Sequence, residues 1–138
     1  MYHMDVTAAM LADAAIVQQG KLYIHGGGWD SISVESLPAT HPSMALAWIF
    51  RVEYAEALQE IPFAVELLDE DNAPLDLRLE ASINVGHPPG SRRGDPAFVP
   101  FQVTLPLLTL PRFGGYRFSI HTEERELASV PFKVVQRR

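Results

Sequence analysis

One short segment of the sequence combines residue types that could stabilise a developing negative charge. It reads His25, Gly26, Gly27, Gly28, Trp29 and Asp30, and a His-Gly-Gly-Gly segment supplies oxyanion-hole amides in lipases and esterases. Such an enzyme also needs a nucleophilic serine in a G-x-S-x-G turn. Residues 90–94 read GSRRG and have the wrong spacing for that turn. The sequence therefore predicts no catalytic residue.

The same glycine-rich segment has two remaining interpretations. Consecutive glycines are typical of a bulge or bend where a strand passes from one sheet to another, and this interpretation is favoured. The alternative is a ligand-binding notch lined by backbone atoms beside Trp29, formed by residues 25–30 together with the loop of residues 86–96. That loop has no periodicity and is rich in glycine and proline, as surface loops are.

Metal-binding patterns are missing among the histidines and acidic residues. The five histidines form none of the spacings of zinc ligands, and no cysteine is present to supply a thiolate. Asp69, Glu70 and Asp71 stand at a predicted turn and could offer oxygen ligands to calcium, but acidic turns are more often simply solvated. The sequence predicts no metal and no cofactor.

Composition limits the classes of partner and location. The 138 residues carry a net charge of −6, which disfavours a groove of clustered lysine and arginine for nucleic acid. No apolar run approaches the roughly 20 residues of a membrane span, and the first residues lack the pattern of a signal peptide. We expect one domain over residues 1–138, located in the cytoplasm, with neither nucleic-acid nor membrane partners.

Alternation of apolar and polar residues with a period of two predicts strands in most of the chain. It is unbroken from Leu75 to Ile83, and with the apolar positions from Ile61 to Leu67 it predicts a hairpin across an acidic turn. Residues 116–120 and 130–134 predict a second hairpin.

The N-terminal segment is compatible with two structures. Residues 8–17 are rich in alanine, which favours a helix, but they lack a helical stripe of apolar residues. Residues 18–21, read QQGK, resemble a hairpin turn. We therefore expect strand, turn and strand, with a helix as the alternative.

Residues 44–52 differ from the other predicted strands because both of their faces are apolar. This pattern is typical of a central strand that is covered on both sides, by a second sheet or by a partner subunit. Short strands at regular spacing, separated by turn residues, predict an all-β antiparallel sandwich of about eight strands with immunoglobulin-like or C2-like topology.

Several motifs together resemble a known family. They are the segment from Gly20 to Asp30, the string Pro38-Ala39-Thr40-His41-Pro42, the strand beginning Gly114-Gly115-Tyr116, and the closing run from Val130 to Val134. They are similar to those of small, mostly actinobacterial proteins known only as a domain of unknown function. The resemblance implies a β-sandwich in the cytoplasm and carries over no activity, ligand or site residue.

We expect a non-enzymatic protein-interaction or scaffolding module that associates with itself as a homodimer or with another protein. The two-sided apolar strand at residues 44–52 is the reason for this expectation. A ligand-binding sandwich that uses residues 25–30 and the 86–96 loop is the alternative. A third and weaker class is an enzyme assembled at a subunit interface, which would bring His25, His121 or Asp30 within hydrogen-bonding distance.

Overall fold

The computed structural model describes residues 3–87 and 89–138, and most of these residues lie in β-strands. The described strands are nine, with one short 3₁₀ helix: β1 (Asp5–Gln18), β2 (Lys21–Gly27), β3 (Ser31–Val34), β4 (Ala39–Val52), the 3₁₀ helix (Tyr54–Glu56), β5 (Glu60–Asp69), β6 (Pro74–Asn84), β7 (Ala97–Leu110), β8 (Gly114–His121) and β9 (Glu126–Gln136). The predicted β-sandwich is confirmed, with nine strands in place of about eight. Over the described ranges, no helix is long and apolar enough to cross a membrane.

The strands form two sheets. The first sheet has the order β2-β1-β4-β7 and the second has the order β3-β9-β8-β5-β6. Neighbouring strands are antiparallel, except that β3 runs parallel to β9. The order β9-β8-β5-β6 matches strands G, F, C and C′ of a variable-type immunoglobulin domain, and β4 with β7 matches strands B and E. The topology is therefore immunoglobulin-like.

The alanine-rich N-terminal segment is a strand and not a helix. β1 and β2 form a hairpin in which Gln18 lies opposite Lys21. Gln19 and Gly20 have φ angles of 53° and 72°, and two consecutive positive φ angles are what a two-residue type I′ turn requires. Leu11, within this strand, is fully buried in the core. Tertiary burial therefore decides the structure over the helix propensity of alanine.

The core lies between the inner faces of the two sheets, and aromatic rings fill its centre. Trp48 stacks on Phe101 with ring centroids 5.7 Å apart, and Phe50 meets Phe63 edge to face at 5.0 Å. Trp48 and Phe50 belong to β4, which lies between β1 and β7. The predicted central position of residues 44–52 is confirmed.

A tyrosine fastens the chain where β7 ends and β8 begins. The Tyr116 hydroxyl donates to the carbonyl oxygen of Arg112 at 2.7 Å and accepts from the Arg112 amide at 3.0 Å. Its ring is buried and stacks on Phe132. This is the geometry of the tyrosine corner of immunoglobulin-like sandwiches, in which a hydroxyl holds the backbone a few residues upstream.

Replacing Tyr116 by Phe is expected to lower the free energy of unfolding by about 1–2 kcal/mol, because both hydrogen bonds to Arg112 are lost while the ring packing stays. Urea unfolding at neutral pH measures the change. Tyr54→Phe is the matched control, since the Tyr54 ring stacks on His87 and that stacking survives the loss of the hydroxyl. Equal losses in the two variants would contradict a role for the corner.

Candidate functional site

Residues 28–30 carry the chain from the first sheet to the second. The Gly28 amide donates to the Leu11 carbonyl of β1 at 2.8 Å, and the Asp30 carbonyl accepts from the Lys133 amide of β9 at 2.9 Å. One residue, Trp29, therefore separates the last attachment to one sheet from the first attachment to the other. The predicted bend at the glycine segment is confirmed.

The glycines of this segment are required by the path of the backbone. Gly26 and Gly28 have φ angles of 60° and 89°, in the left-handed region that favours glycine. A Cβ atom on Gly26 would lie 2.3 Å from Oδ2 of Asp13, and one on Gly27 would lie 2.6 Å from Cγ2 of Ile24. The Asp13 carboxylate thus occupies the space that a side chain at position 26 would fill.

The residues of the predicted ligand notch separate in the structure. His25 lies opposite Ala14 and is exposed on the outer side of the first sheet, and Asp30 is also exposed. Trp29 is partly buried, and its ring lies 6.1 Å from that of His41. Trp29 therefore lies beside His41 at the end of the sandwich, whereas His25, four residues earlier, faces solvent.

The 86–96 loop lies at the opposite end of the sandwich from Trp29. Its His87 stacks on Tyr54, beyond the end of β4, with ring centroids 4.0 Å apart, whereas Trp29 contacts His41 at the start of β4. The intervening strand is roughly 40 Å long at about 3.3 Å per residue. Pro88 of this loop lies outside the described residues. The two segments therefore do not form one pocket.

A polar cluster that sequence reasoning missed lies on the outer side of the second sheet. The Ser119 hydroxyl donates to Oε2 of Glu126 at 2.6 Å and lies 3.4 Å from Nδ1 of His121. The register of the β8–β9 hairpin, which places His121 opposite Glu126, is the signal that could have found it. His25 lies on the other sheet, so the predicted meeting of His25, His121 and Asp30 does not occur.

The geometry of this cluster does not fit a nucleophilic serine. In a catalytic triad the histidine accepts the serine proton and the acid orients the histidine. Here the Ser119 hydroxyl donates directly to Glu126, and Nη1 of Arg78 lies 3.4 Å from Nε2 of His121. Although partial burial raises the pKa of Glu126, hydrogen bonds from Arg117 and Ser119 outweigh it and hold that pKa below its ordinary value. The cluster is an ionic network.

The acidic turn between β5 and β6 uses its first carboxylate internally. Oδ1 of Asp69 accepts from the amides of Asp71 at 2.9 Å and Ala73 at 3.0 Å, and Oδ2 pairs with the Arg112 guanidinium. The Ala73 hydrogen bond, followed by those from Asp71 and Arg112, holds the pKa of Asp69 below its ordinary value against the effect of burial. Across residues 3–87 and 89–138, no three histidine or acidic side chains are grouped to hold a metal ion.

The Asp69 contacts predict a loss of stability in acid. An aspartate with a lowered pKa stabilises the fold at every pH above its unfolded-state pKa of about 3.9, and this contribution is lost as the pH falls through the lower pKa of the folded state. We expect Asp69→Asn to melt at a lower temperature than the native chain at pH 7, with the gap closing below pH about 3.9. Melting curves from pH 7 to pH 2.5 test this, and a gap independent of pH would contradict it.

The outer side of the first sheet is apolar along its middle, and its charged residues stand at its two ends, with Asp5 and Arg51 beside Phe98 at one end and Lys21 at the other. The strand registers place one set of side chains on this side, which we call the apolar face. Ile16, Tyr23 and Phe98 are its most exposed large side chains, at 53%, 46% and 59%. Its members are Tyr23, His25 and Gly27 of β2, Ala8, Met10, Ala12, Ala14 and Ile16 of β1, Ser43, Ala45, Ala47 and Ile49 of β4, and Phe98, Pro100, Gln102, Thr104 and Pro106 of β7.

The outer side of the second sheet has the opposite character. Arg78 pairs with Glu66 at 3.3 Å and with Glu80 at 2.9 Å, and Arg117 pairs with Glu126 at 2.7 Å. An antiparallel sheet with one solvated side normally shows such polar residues on that side. The two outer sides of one small sandwich thus differ, and the apolar face departs from the pattern of a surface in water.

The edges of the first sheet are poorly suited to pairing with another strand. Pro100 and Pro106 stand on the edge strand β7 while its ladder with β4 continues past both. Proline has no amide hydrogen, so neither position can donate to an added strand. The other edge, β2, has seven residues. Association through the apolar face is therefore favoured over extension of the sheet.

A cleft of about 760 Å³ opens beside Trp29. It is lined by β3, by the connection to β4 and by the first residues of β4, with Asp13 and Arg137 at its sides. We call it the Trp29 cleft. Trp29 is the one member of the predicted 25–30 notch that lines it, and His41 of the Pro-Ala-Thr-His-Pro string lies across from the indole.

Comparisons with known proteins give one family and distant structural similarity. The model of DUF6941, a family of unknown function, matches residues 7–135. No curated protein matches the chain. An immunoglobulin-like protein from Pseudomonas aeruginosa is 12% identical, with 96% of each chain covered and a TM-score of 0.46.

Two enzymes contain a region of similar shape. A β-glucosidase from Listeria innocua, in complex with gluconolactone, is 10% identical, with 98% of this chain and 16% of that chain covered and a TM-score of 0.47. An alkylpurine DNA glycosylase from Pseudomonas fluorescens is also 10% identical, with 97% and 31% covered and a TM-score of 0.47. This chain therefore spans less than a third of either enzyme, and neither activity is carried over to it.

Proposed function

The chain belongs to the DUF6941 family, and we propose that it is a non-enzymatic cytoplasmic module that associates with a second copy of itself through the apolar face. The single observation that supports this is the contrast between the two outer sides of the sandwich. One side carries the ion pairs of Arg78 and Arg117, and the other has no charge between its ends. Leaving Ile16, Tyr23 and Phe98 exposed to water does not stabilise the protein, whereas burying them in an interface does.

The size of the apolar face fits an interface. Four strands about 4.8 Å apart and about ten residues long give roughly 600 Å² of flat area, and side-chain relief adds to it. A stable interface buries about 800 Å² on each partner. The largest apolar patch on a typical monomer covers about 300–600 Å². The face is thus at the upper limit for a monomer and close to what a dimer needs.

The charge distribution favours a second copy as the occupant. The chain has a net charge of −6, so two copies repel each other through most approaches. Face-to-face association makes a stack of four sheets with the two charged sides on the outside, about 30 Å apart for three spacings of about 10 Å. This exceeds the Debye length of about 8 Å at physiological salt, so repulsion between those sides is screened. The middle of the apolar face carries no charge, so it adds no repulsion of its own.

The shape of the face also suits packing against its own copy. Ala12, Ala45 and Ala47 form a buried floor at its centre, with large side chains towards both ends. Two sheets pack face to face in this way inside β-sandwiches, with strands nearly aligned, and a two-fold axis lets one patch serve both partners.

The oligomeric state tests the proposal. Sedimentation velocity at about 1–100 μM and at 150 mM salt should show a dimer with a dissociation constant in or below this range. High salt should not dissociate it, because the middle of the face is uncharged and its contacts are apolar. A strict monomer at the highest concentration would overturn the proposal.

A further inference from the structure

The Trp29 cleft combines an aromatic ring with a set of hydrogen-bonding groups that the protein does not use. The volume of about 760 Å³ lies within the range of about 300–1,000 Å³ that small-molecule sites occupy. Trp29 is partly exposed there, whereas Trp48, in the core, is 1% exposed. The cleft therefore offers an indole to a ligand at one end of the sandwich.

Hydroxyl groups line the cleft on two sides. Ser31, Ser33 and Ser36 follow β3 and the connection after it, and Thr40 stands at the start of β4. In the described part of the chain, none of these four hydroxyls makes a hydrogen bond with another residue. They are available to a ligand that can both donate and accept.

Asp13 adds a carboxylate to the same cleft, and the glycine segment positions it. Its Oδ2 lies only 2.3 Å from the position that a Cβ atom on residue 26 would take. No hydrogen bond joins this carboxylate to another described residue. Gly26 thus gives Asp13 the room to lie against the backbone of β2 and to face the cleft that Trp29 lines.

The charges of the cleft exclude two classes of ligand. Asp13 and Glu35 supply two carboxylates against the single guanidinium of Arg137. That guanidinium already donates to the Ser33 carbonyl at 3.1 Å and lies 3.8 Å from Glu35. A phosphate or another anion would therefore meet net repulsion. A wholly apolar ligand would leave the hydroxyls and the carboxylate without partners when water is displaced, which costs free energy at each group.

We propose that the Trp29 cleft binds a neutral carbohydrate. A sugar ring has an apolar C–H face that can lie on the indole, and hydroxyls at its rim that can bond to Ser31, Ser33 and Thr40. Two adjacent sugar hydroxyls can donate to the two oxygens of Asp13. A quaternary ammonium ion could lie on the indole but offers no group to the hydroxyls, whereas a neutral sugar uses both the aromatic ring and the uncharged polar rim.

The two tryptophans allow the site to be read directly. In ¹H–¹⁵N spectra of the full chain, each indole N–H gives its own signal, and Trp48→Phe identifies the pair. Titration with glucose, N-acetylglucosamine, maltose and cellobiose up to about 100 mM should move the Trp29 signal saturably with at least one sugar, and leave the Trp48 signal in place. Choline chloride and inorganic phosphate are titrated as cationic and anionic probes.

Substitutions separate the cleft carboxylate from other surface carboxylates. Asp13→Ala should weaken sugar binding by about tenfold or more, as expected for a lost charge-assisted hydrogen bond. Asp76→Ala should leave it unchanged, because Asp76 is exposed on β6 and belongs neither to the cleft nor to the apolar face. Melting temperatures confirm that both variants fold. The proposal is overturned if no sugar gives a saturable shift, if only choline or phosphate does, or if Asp13→Ala binds as the native chain does. None of these results alters the dimer measurement, since Trp29 and Asp13 are not part of the apolar face.

Discussion

Replacing Ile16 by Asp is expected to weaken self-association by at least about 100-fold. Ile16 is 53% exposed and lies opposite Tyr23 on the apolar face. In the dimer the new carboxylate would be removed from water without a partner, which costs several kcal/mol, and about 2.7 kcal/mol corresponds to 100-fold in the dissociation constant. A two-fold axis places the change on both partners, so the cost is counted twice.

Aspartate is the informative replacement because its side chain is short. A lysine at position 16 could keep its ammonium group in water by extending along the surface. Since Ile16 is largely exposed in the single chain, Ile16→Asp should change the stability of the monomer by no more than about 0.5 kcal/mol. Phe98→Asp, at the other end of the face, should weaken association less than Ile16→Asp, because Arg51 lies opposite position 98 and can pair with the new carboxylate. Sedimentation velocity gives the dissociation constants, and melting curves confirm the fold.

Leu79→Asp is the matched control. Leu79 is 40% exposed and lies on β6 at the edge of the second sheet, so it resembles Ile16 in exposure but is remote from the apolar face. This variant should remain a dimer. If Leu79→Asp dissociates the chain and Ile16→Asp does not, the copies associate through the β6 edge of the second sheet and the apolar face is not the interface.

Local patterns in the sequence were enough to predict the hairpins and one crossing between sheets. The turn at residues 18–21 sets a register in which paired residue numbers sum to a constant, since Gln18 faces Lys21 and Ala12 faces Gly27. The same register puts Asp13 across from Gly26, so their close approach could have been predicted as well. These features depend on neighbours in sequence, where alternation and turn chemistry are strong signals.

The composition of the candidate sites was harder to predict because it depends on which end and which side of the sandwich a residue occupies. Trp29 and the 86–96 loop both lie beside glycine or proline, which is compatible with a single notch. In the structure, however, they lie at opposite ends of β4. The two-sided apolar pattern of residues 44–52 correctly indicated a central strand, but the extent of the apolar face required knowing that β7 and β1 flank it. Pairing between distant strands carries no local signal.

The second large effect concerns the aromatic core. Replacing Trp48 by Ala is expected to lower the free energy of unfolding by about 3–5 kcal/mol, because a large cavity opens where the indole meets Phe50, Phe63 and Phe101. A domain is stable by only about 5–15 kcal/mol in total, so this variant should unfold at much lower urea concentrations. The loss of this one aromatic ring would therefore remove a large part of the total free energy of unfolding.

Replacing Trp48 by Phe should cost much less than replacing it by Ala. Among the described residues, Nε1 of Trp48 is buried without a hydrogen-bond partner, and an unsatisfied buried donor costs about 1–3 kcal/mol. Phenylalanine removes that donor and keeps a ring against Phe101. The free energy gained by removing the unsatisfied donor therefore offsets part of the cost of the small cavity that remains. Urea unfolding of Trp48→Phe, Trp48→Ala and Trp29→Phe measures the three costs, and Trp29→Phe removes a second indole N–H that is likewise buried without a partner among the described residues. If Trp48→Phe is as damaging as Trp48→Ala, the indole N–H is bonded in solution and the core holds a polar contact there, since ring packing alone would make the phenylalanine variant the more stable of the two.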